Sequence, residues 1–311
     1  MLAQARTRVP RLQGSWRGEQ LEDEVDVLLP QLPALLPSFA RVPLGRNRLK
    51  DLIVRVEDDL PVDAVSKKYR LIQHFKIVEA VASAADSLGI DVGGLRAHLT
   101  LTEYGTRMVL RVILPRQYAM SDPSGHTMAL TFECFNSVDG TVPLFALVGW
   151  FRFVCRNGLA LGTTTMSFRQ KHLMDLHEGD FEALIGDGIR LAAEERAAFA
   201  RWQATRVSLN ALRRWVDGPV ASTWGIMAAA RAYGIATTGF DGEPERGARK
   251  LVPHRRQVSR AIAVPGSQAP CGDRYAAVQI LAWIASRRNS VTERTAWRAQ
   301  IGTLVQHLTL D

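Results

Sequence analysis

From residue 95 to residue 156, apolar and polar side chains alternate in four successive runs, and the connections between them are mostly too short to hold a crossover helix. The first run, 95–104, sets Leu95, Ala97, Leu99 and Leu101 on one side. The second, 107–114, does the same with Met108, Leu110, Val112 and Leu114, and runs 127–136 and 144–156 follow. Gly105 and Thr106 fit a tight turn, and Asn136-Ser137-Val138-Asp139-Gly140 contains the Asp-Gly pair favoured in hairpins. Asn157 and Gly158 tolerate a left-handed backbone and end the fourth run. An antiparallel meander of about four strands is the simplest fold these constraints allow.

Helical patterns flank the meander. A helix is expected from about Val62 to Leu88, capped by Asp63 or Ser66, with Leu71, Ile72, Phe75, Val78, Ala82, Ala85 and Leu88 as its apolar stripe. Residues 175–217 are expected to be helical, with a break near Gly186 and Gly188 and an end at Gly218 and Pro219. Further helices are expected over 220–235 and from Tyr275 to Leu308, the latter broken near Asn289 and Ser290. The class is therefore α+β, a meander packed on flanking helices with a helical C-terminal part. Three regions are expected. Residues 1–61 are a partly irregular lead-in with an acidic patch, a proline-rich connector and a short strand at 47–56. Residues 62–218 are the core domain, and 219–311 are helical with a basic loop at 238–272. Leu110, Phe132, Phe151 and Phe153 are expected to pack against the helix carrying Leu71 and Phe75.

Charge narrows the class of partner. The formal net charge is +8. Between Leu95 and His172 there are eight Lys and Arg against four Asp and Glu. By strand parity Arg96, Tyr104, Arg107, Arg111, Trp150, Arg152 and Arg156 can share one exposed face. Guanidinium forks match phosphate oxygens, and aromatic rings stack on unpaired bases. A second basic cluster, 244–260, carries Arg249, Lys250, Arg255 and Arg256. Both clusters read equally as ordinary solvated surface. As binding surfaces they point to nucleic acid, single-stranded DNA ahead of duplex, with a homo-oligomer compatible with either.

Catalytic signatures are lacking. There is no phosphate-cradling glycine loop, no HExxH, no GxSxG and no CxxC. No cofactor and no metal site is expected. Glu133 and Asp139 are the acids a cryptic metal-dependent nuclease would use, although an arginine partner for Glu133 and a turn-shaping role for Asp139 explain them more simply. Cys134, Cys155 and Cys271 have neither disulfide nor zinc spacing, which suits a reducing cytosol, and Cys155 is expected to be a buried thiol. No run approaches the roughly 18 apolar residues of a membrane span.

Residues 132–162 carry a recognisable pattern. Asn136, Ser137, Asp139 and Gly140 are followed by an apolar strand and then Arg152, Cys155, Asn157, Gly158 and Leu159. This resembles the phage/plasmid-like family named domain of unknown function 932, whose usual histidine between serine and aspartate is Val138 here. The resemblance implies a place on plasmids, prophages or integrative elements without implying an activity. The order of elements also resembles that of ring-forming single-strand annealing proteins. The leading expectation is a non-enzymatic DNA-binding protein of a mobile element. The alternatives are a protein-interaction or host-takeover factor and a cryptic nuclease.

Overall fold

The structure is a computed structural model and describes residues 22–102, 104–121, 125, 127–141, 143–152, 166–172, 178–245, 252–289 and 291–308. In chain order its strands are β1 (Glu22–Leu28), β2 (Phe39–Pro43), β3 (Lys50–Arg55), β4 (Leu60–Ser66), β5 (Arg96–Thr102), β6 (Arg107–Ile113), β7 (Met120–Ser121), β8 (Thr127–Ser137), β9 (Leu144–Arg152), β10 (Met166–Gln170), β11 (Phe240–Asp241) and β12 (Ile262–Ala263). Its α-helices are α1 (His74–Ser87), α2 (Glu178–Ala204), α3 (Leu209–Trp215), α4 (Ala221–Trp224), α5 (Ile226–Thr238), α6 (Arg274–Ser286) and α7 (Val291–Gln306). The class is α+β, as expected.

The meander is the centre of an antiparallel sheet ordered β1-β5-β6-β8-β9-β10, with β7 also paired to β8. β5, β6, β8 and β9 are the four alternating runs. Their apolar faces join one core with α1, α2 and the C-terminal helices, in which Leu110, Phe132 and Val148 are fully buried. Phe132 meets Phe181 of α2 edge-on at 5.5 Å. Burying each such side chain contributes about 2–3 kcal/mol. The side chain of Phe151, and Phe153 altogether, lie outside the described residues.

The lead-in carries the short strand expected at 47–56 as β3 and otherwise differs from expectation. The acidic patch forms β1, which pairs along its whole length with β5, from Glu22 opposite Thr102 to Leu28 opposite Arg96. The proline-rich stretch is a 3-10 segment over Leu29–Leu35, which buries Leu29 and Leu32. β2, β3 and β4 make a second, three-stranded sheet. The helix expected from Val62 therefore starts only at His74. The Val62–Val65 spacing of three suits a helix, but pairing with β3, with a bulge opposite Ile53 and Val54, holds residues 60–66 extended. Asp63 and Ser66 cap nothing. Gln73 occupies the N-cap position, and its side-chain amide binds the backbone of Phe39 instead.

The expected break at Gly186 and Gly188 is absent, and α2 runs unbroken for 27 residues. Gly188 is there for proximity: a Cβ at this position would lie 2.5 Å from Cγ1 of Val148 on β9. Gly188→Ala is expected to cost about 1–3 kcal/mol through overpacking, outweighing the gain in helix propensity. A urea unfolding midpoint at or above that of the parent protein would contradict this. Gly218 and Pro219 do not end a helix either. Residues 216–220 continue α3 into α4 through a π-helical turn.

Candidate nucleic-acid interface

Strand register decides where the expected binding residues lie. Arg111 pairs with Glu133 across β6 and β8, and Glu133 pairs with Leu147 on β9. Leu110 pairs with Cys134, and Leu130 pairs with Trp150. Paired residues share a face, so Trp150 belongs with Leu110 in the core rather than with Arg111. It is fully buried, 6.4 Å from Phe199 in an edge-on contact, and offers no surface to a base.

The face opposite the core carries arginines, but it is not an open cationic wall. Nε of Arg111 donates to Oε1 of Glu133 at 2.6 Å, and Nη1 of Arg298, reaching from α7, donates to Oε2 at 2.6 Å. All three residues are buried. Nε of Arg107 donates to Oδ2 of Asp139 at 2.9 Å. Towards the β1 edge, His98 Nδ1 lies 2.9 Å from Asp26 Oδ1. Carboxylates of the same molecule thus answer Arg107 and Arg111, and the same pairings commit both acids of the nuclease reading to arginine. Arg96 is exposed and Tyr104 is 39% exposed. Arg255 is exposed, and Arg256 reaches the backbone oxygen of Glu245. Arg156, Asn157, Gly158, Arg249, Lys250 and Cys155 lie outside the described residues, as does the side chain of Arg152.

The Asn136–Gly140 turn joins the two sheets to α1. Asn136 is fully buried, and its Nδ2 donates to the Ile72 carbonyl at 3.0 Å and to Nδ1 of His74 at 2.9 Å. The other ring nitrogen of His74, Nε2, then donates to the Gly105 carbonyl at 2.8 Å. Burial pushes His74 down to about 4, so the ring is neutral at pH 7. Val138 fills the small core of the second sheet with Phe39, Ile53, Val65 and Tyr69. Oδ1 of Asp139 accepts from the backbone N–H and hydroxyl of Thr141. Gly140, at φ 71°, lies under the Tyr69 ring, whose hydroxyl donates to the Ser137 carbonyl at 2.9 Å.

Beside this turn opens a cleft of about 770 Å³. Lys50 and Ser66 from the second sheet, Asp139 and Thr141 from the turn, and Lys171 and His172 just beyond β10 line it with Tyr69. Tyr69 and His172 stack at 5.1 Å, and the backbone N–H of Arg70 donates to the His172 carbonyl at 2.7 Å, tying the two walls together.

Cations gather around the cleft. The turn before β3 and the segment after β4 lie at the same end of the second sheet, and residues 46–50 and 66–72 each carry three Lys or Arg and no carboxylate. Arg46, Arg48, Lys50, Lys68, Arg70 and Lys171 are exposed. None of them is in an ion pair among the described residues. Lys67 is the exception, held with Arg41 by the buried Asp51. Of the acids of this sheet, Glu57, Asp58 and Asp59 sit at the turn at its other end, Asp51 is held by Arg41 and Lys67, and Asp63 lies on β4 near enough to act on Tyr69. Sequence reasoning missed this site because Lys50 and Lys171 are distant in the chain. The acid-free runs 46–50 and 66–72 were the signal that could have found it.

Among the described residues no helix is long and apolar enough to cross a membrane. A family model described as Domain of unknown function (DUF932) matches residues 61–300, from β4 to the middle of α7. No curated protein and no solved structure matches the chain.

Proposed function

The chain belongs to the family Domain of unknown function (DUF932), and we propose that it binds nucleic acid, with a single strand lying across the basic end of the second sheet. The observation that carries this reading is the contrast between two sets of cations. The sheet arginines Arg107 and Arg111 are answered by carboxylates of the same molecule. Arg46, Arg48, Lys50, Lys68, Arg70 and Lys171 stand exposed with no ion pair among the described residues, and two of them, Lys50 and Lys171, line one concavity. Exposed cations of this kind bind phosphates by releasing condensed counter-ions, independently of sequence. A cleft of about 770 Å³ is of a size for small organic groups, which favours an unpaired strand whose nucleotides can enter singly.

The test is a salt titration of a fluorescent single-stranded oligonucleotide. With about five phosphates neutralised, at about 0.7 counter-ions each, affinity should fall about 100-fold between about 50 and about 200 mM salt. No binding at low salt, or affinity that does not change with salt, overturns the reading. Capture of an acidic protein that survives nuclease digestion would assign the same cations to a protein partner instead.

A further inference from the structure

Resting on the reading above, we infer that the cleft beside the Asn136–Gly140 turn takes one nucleotide unit, its phosphate at the mouth and a hydrogen-bond donor of its base at the floor. The cleft is polar in a definite direction. Lys50 and Lys171 line it from opposite walls and are exposed. Asp139 lines it too but is only 8% exposed. The Asp139 carboxylate is held rigidly, Oδ2 by Arg107 and Oδ1 by the two Thr141 donors. A carboxylate has about four acceptor positions, so one on Oδ2 is left for a ligand.

That arrangement discriminates among anions. Inorganic phosphate would meet the lysines but would also bring its own negative charge against the Asp139 carboxylate. A nucleoside monophosphate carries an anionic end for the lysines and, on cytosine or adenine, an exocyclic amine for the carboxylate. Its size suits the cleft, since pockets of about 300–1,000 Å³ hold small organic ligands. Base stacking contributes little here, because Tyr69 is covered by His172 and by Gly140. Selectivity therefore comes from hydrogen bonding at the floor.

Calorimetric titration of the full chain tests this with deoxycytidine monophosphate, thymidine monophosphate, deoxycytidine and inorganic phosphate. Deoxycytidine monophosphate is expected to bind about tenfold more tightly than each of the other three, one good contact being worth about that factor. It should also compete with the oligonucleotide. Lys171→Gln should weaken the mononucleotide about tenfold. Asp139→Asn presents a donor in place of the acceptor and should shift preference towards thymidine monophosphate. If that variant fails to fold, Lys171→Gln and the four-ligand ranking still decide. Equal affinity for inorganic phosphate and deoxycytidine monophosphate, or no mononucleotide binding while the oligonucleotide binds with steep salt dependence, overturns the inference and leaves the strand-binding reading intact. Mononucleotide binding without oligonucleotide binding overturns the strand-binding reading instead.

Discussion

Replacing Glu133 with glutamine is expected to lower the unfolding free energy by about 3–5 kcal/mol, the cost of leaving buried charge without its counter-ion. Glu133 serves two guanidinium groups, those of Arg111 and Arg298, and is 4% exposed. Burial alone would raise its pKa, but the charges and hydrogen bonds of the two arginines outweigh burial and hold the carboxyl at about 2. Burial also lowers Arg298, to about 10, against the pull of Glu133, so it is still a cation at neutral pH. Removing it takes from two buried cations the carboxylate they share. Replacing all three residues together with apolar side chains should cost far less, because no unpaired charge is left behind.

The same carboxyl gives the prediction a pH signature. A folded-state pKa below the unfolded one stabilises the fold above the unfolded value, and that stability is lost as pH falls through the folded value. For Glu133 the loss spans about pH 4.5 to 2. The neutral His74 obeys the same sign, and its contribution is lost between about pH 6.5 and 4. Urea midpoints followed down in pH should therefore fall in two overlapping stages. In Glu133→Gln the lower stage should shrink, with Asp51 and Asp241 still contributing to it, while the upper one persists. A glutamine variant within about 1 kcal/mol of the parent protein would show that the triad behaves as a solvated surface pair.

Reversing Lys50 and Lys171 together to glutamate is expected to weaken single-strand binding about a thousandfold, as two attractive contacts become two repulsive ones of about 1 kcal/mol each. Both lysines are exposed and neither is in an ion pair among the described residues, so the thermal unfolding midpoint should hardly move. Arg111→Ala should do the reverse. It removes half the support of a buried carboxylate and should lower stability whatever it does to binding. Anisotropy and thermal melts on the two variants separate surface from scaffold. Loss of binding in Arg111→Ala at unchanged stability, with the double lysine variant still binding, would return the interface to the sheet.

The meander was legible because its signal is local. Leu95 to Leu101 and Met108 to Leu114 alternate with a period of two, and Gly105 and Asp139-Gly140 mark where the chain reverses. What alternation cannot supply is which residue lies opposite which. The pairing of Leu130 with Trp150 puts that indole inside, and a different register would have turned it outwards. The Val62–Val65 spacing of three suits a helix, and only pairing with the neighbouring β3 holds these residues extended. The site was less legible than the fold. An arginine partner for Glu133 was legible in the sequence and is found, but not that the partner would be Arg111, nor that Arg298 of a distant helix would bring a second guanidinium. The cleft is likewise assembled from the second sheet, the Asn136–Gly140 turn and the tail of β10, which only tertiary structure brings together.

The link between Glu133 and Arg298 spans 165 residues. On a ribosome, the strand bearing the carboxylate emerges long before the helix bearing its second counter-ion, so the nascent sheet waits with that acid half-neutralised. Domains fold as units once their parts are available, and here one part arrives late. A translation product interrupted short of α7 would therefore be a natural target for quality-control proteases, even with every strand of the meander already made.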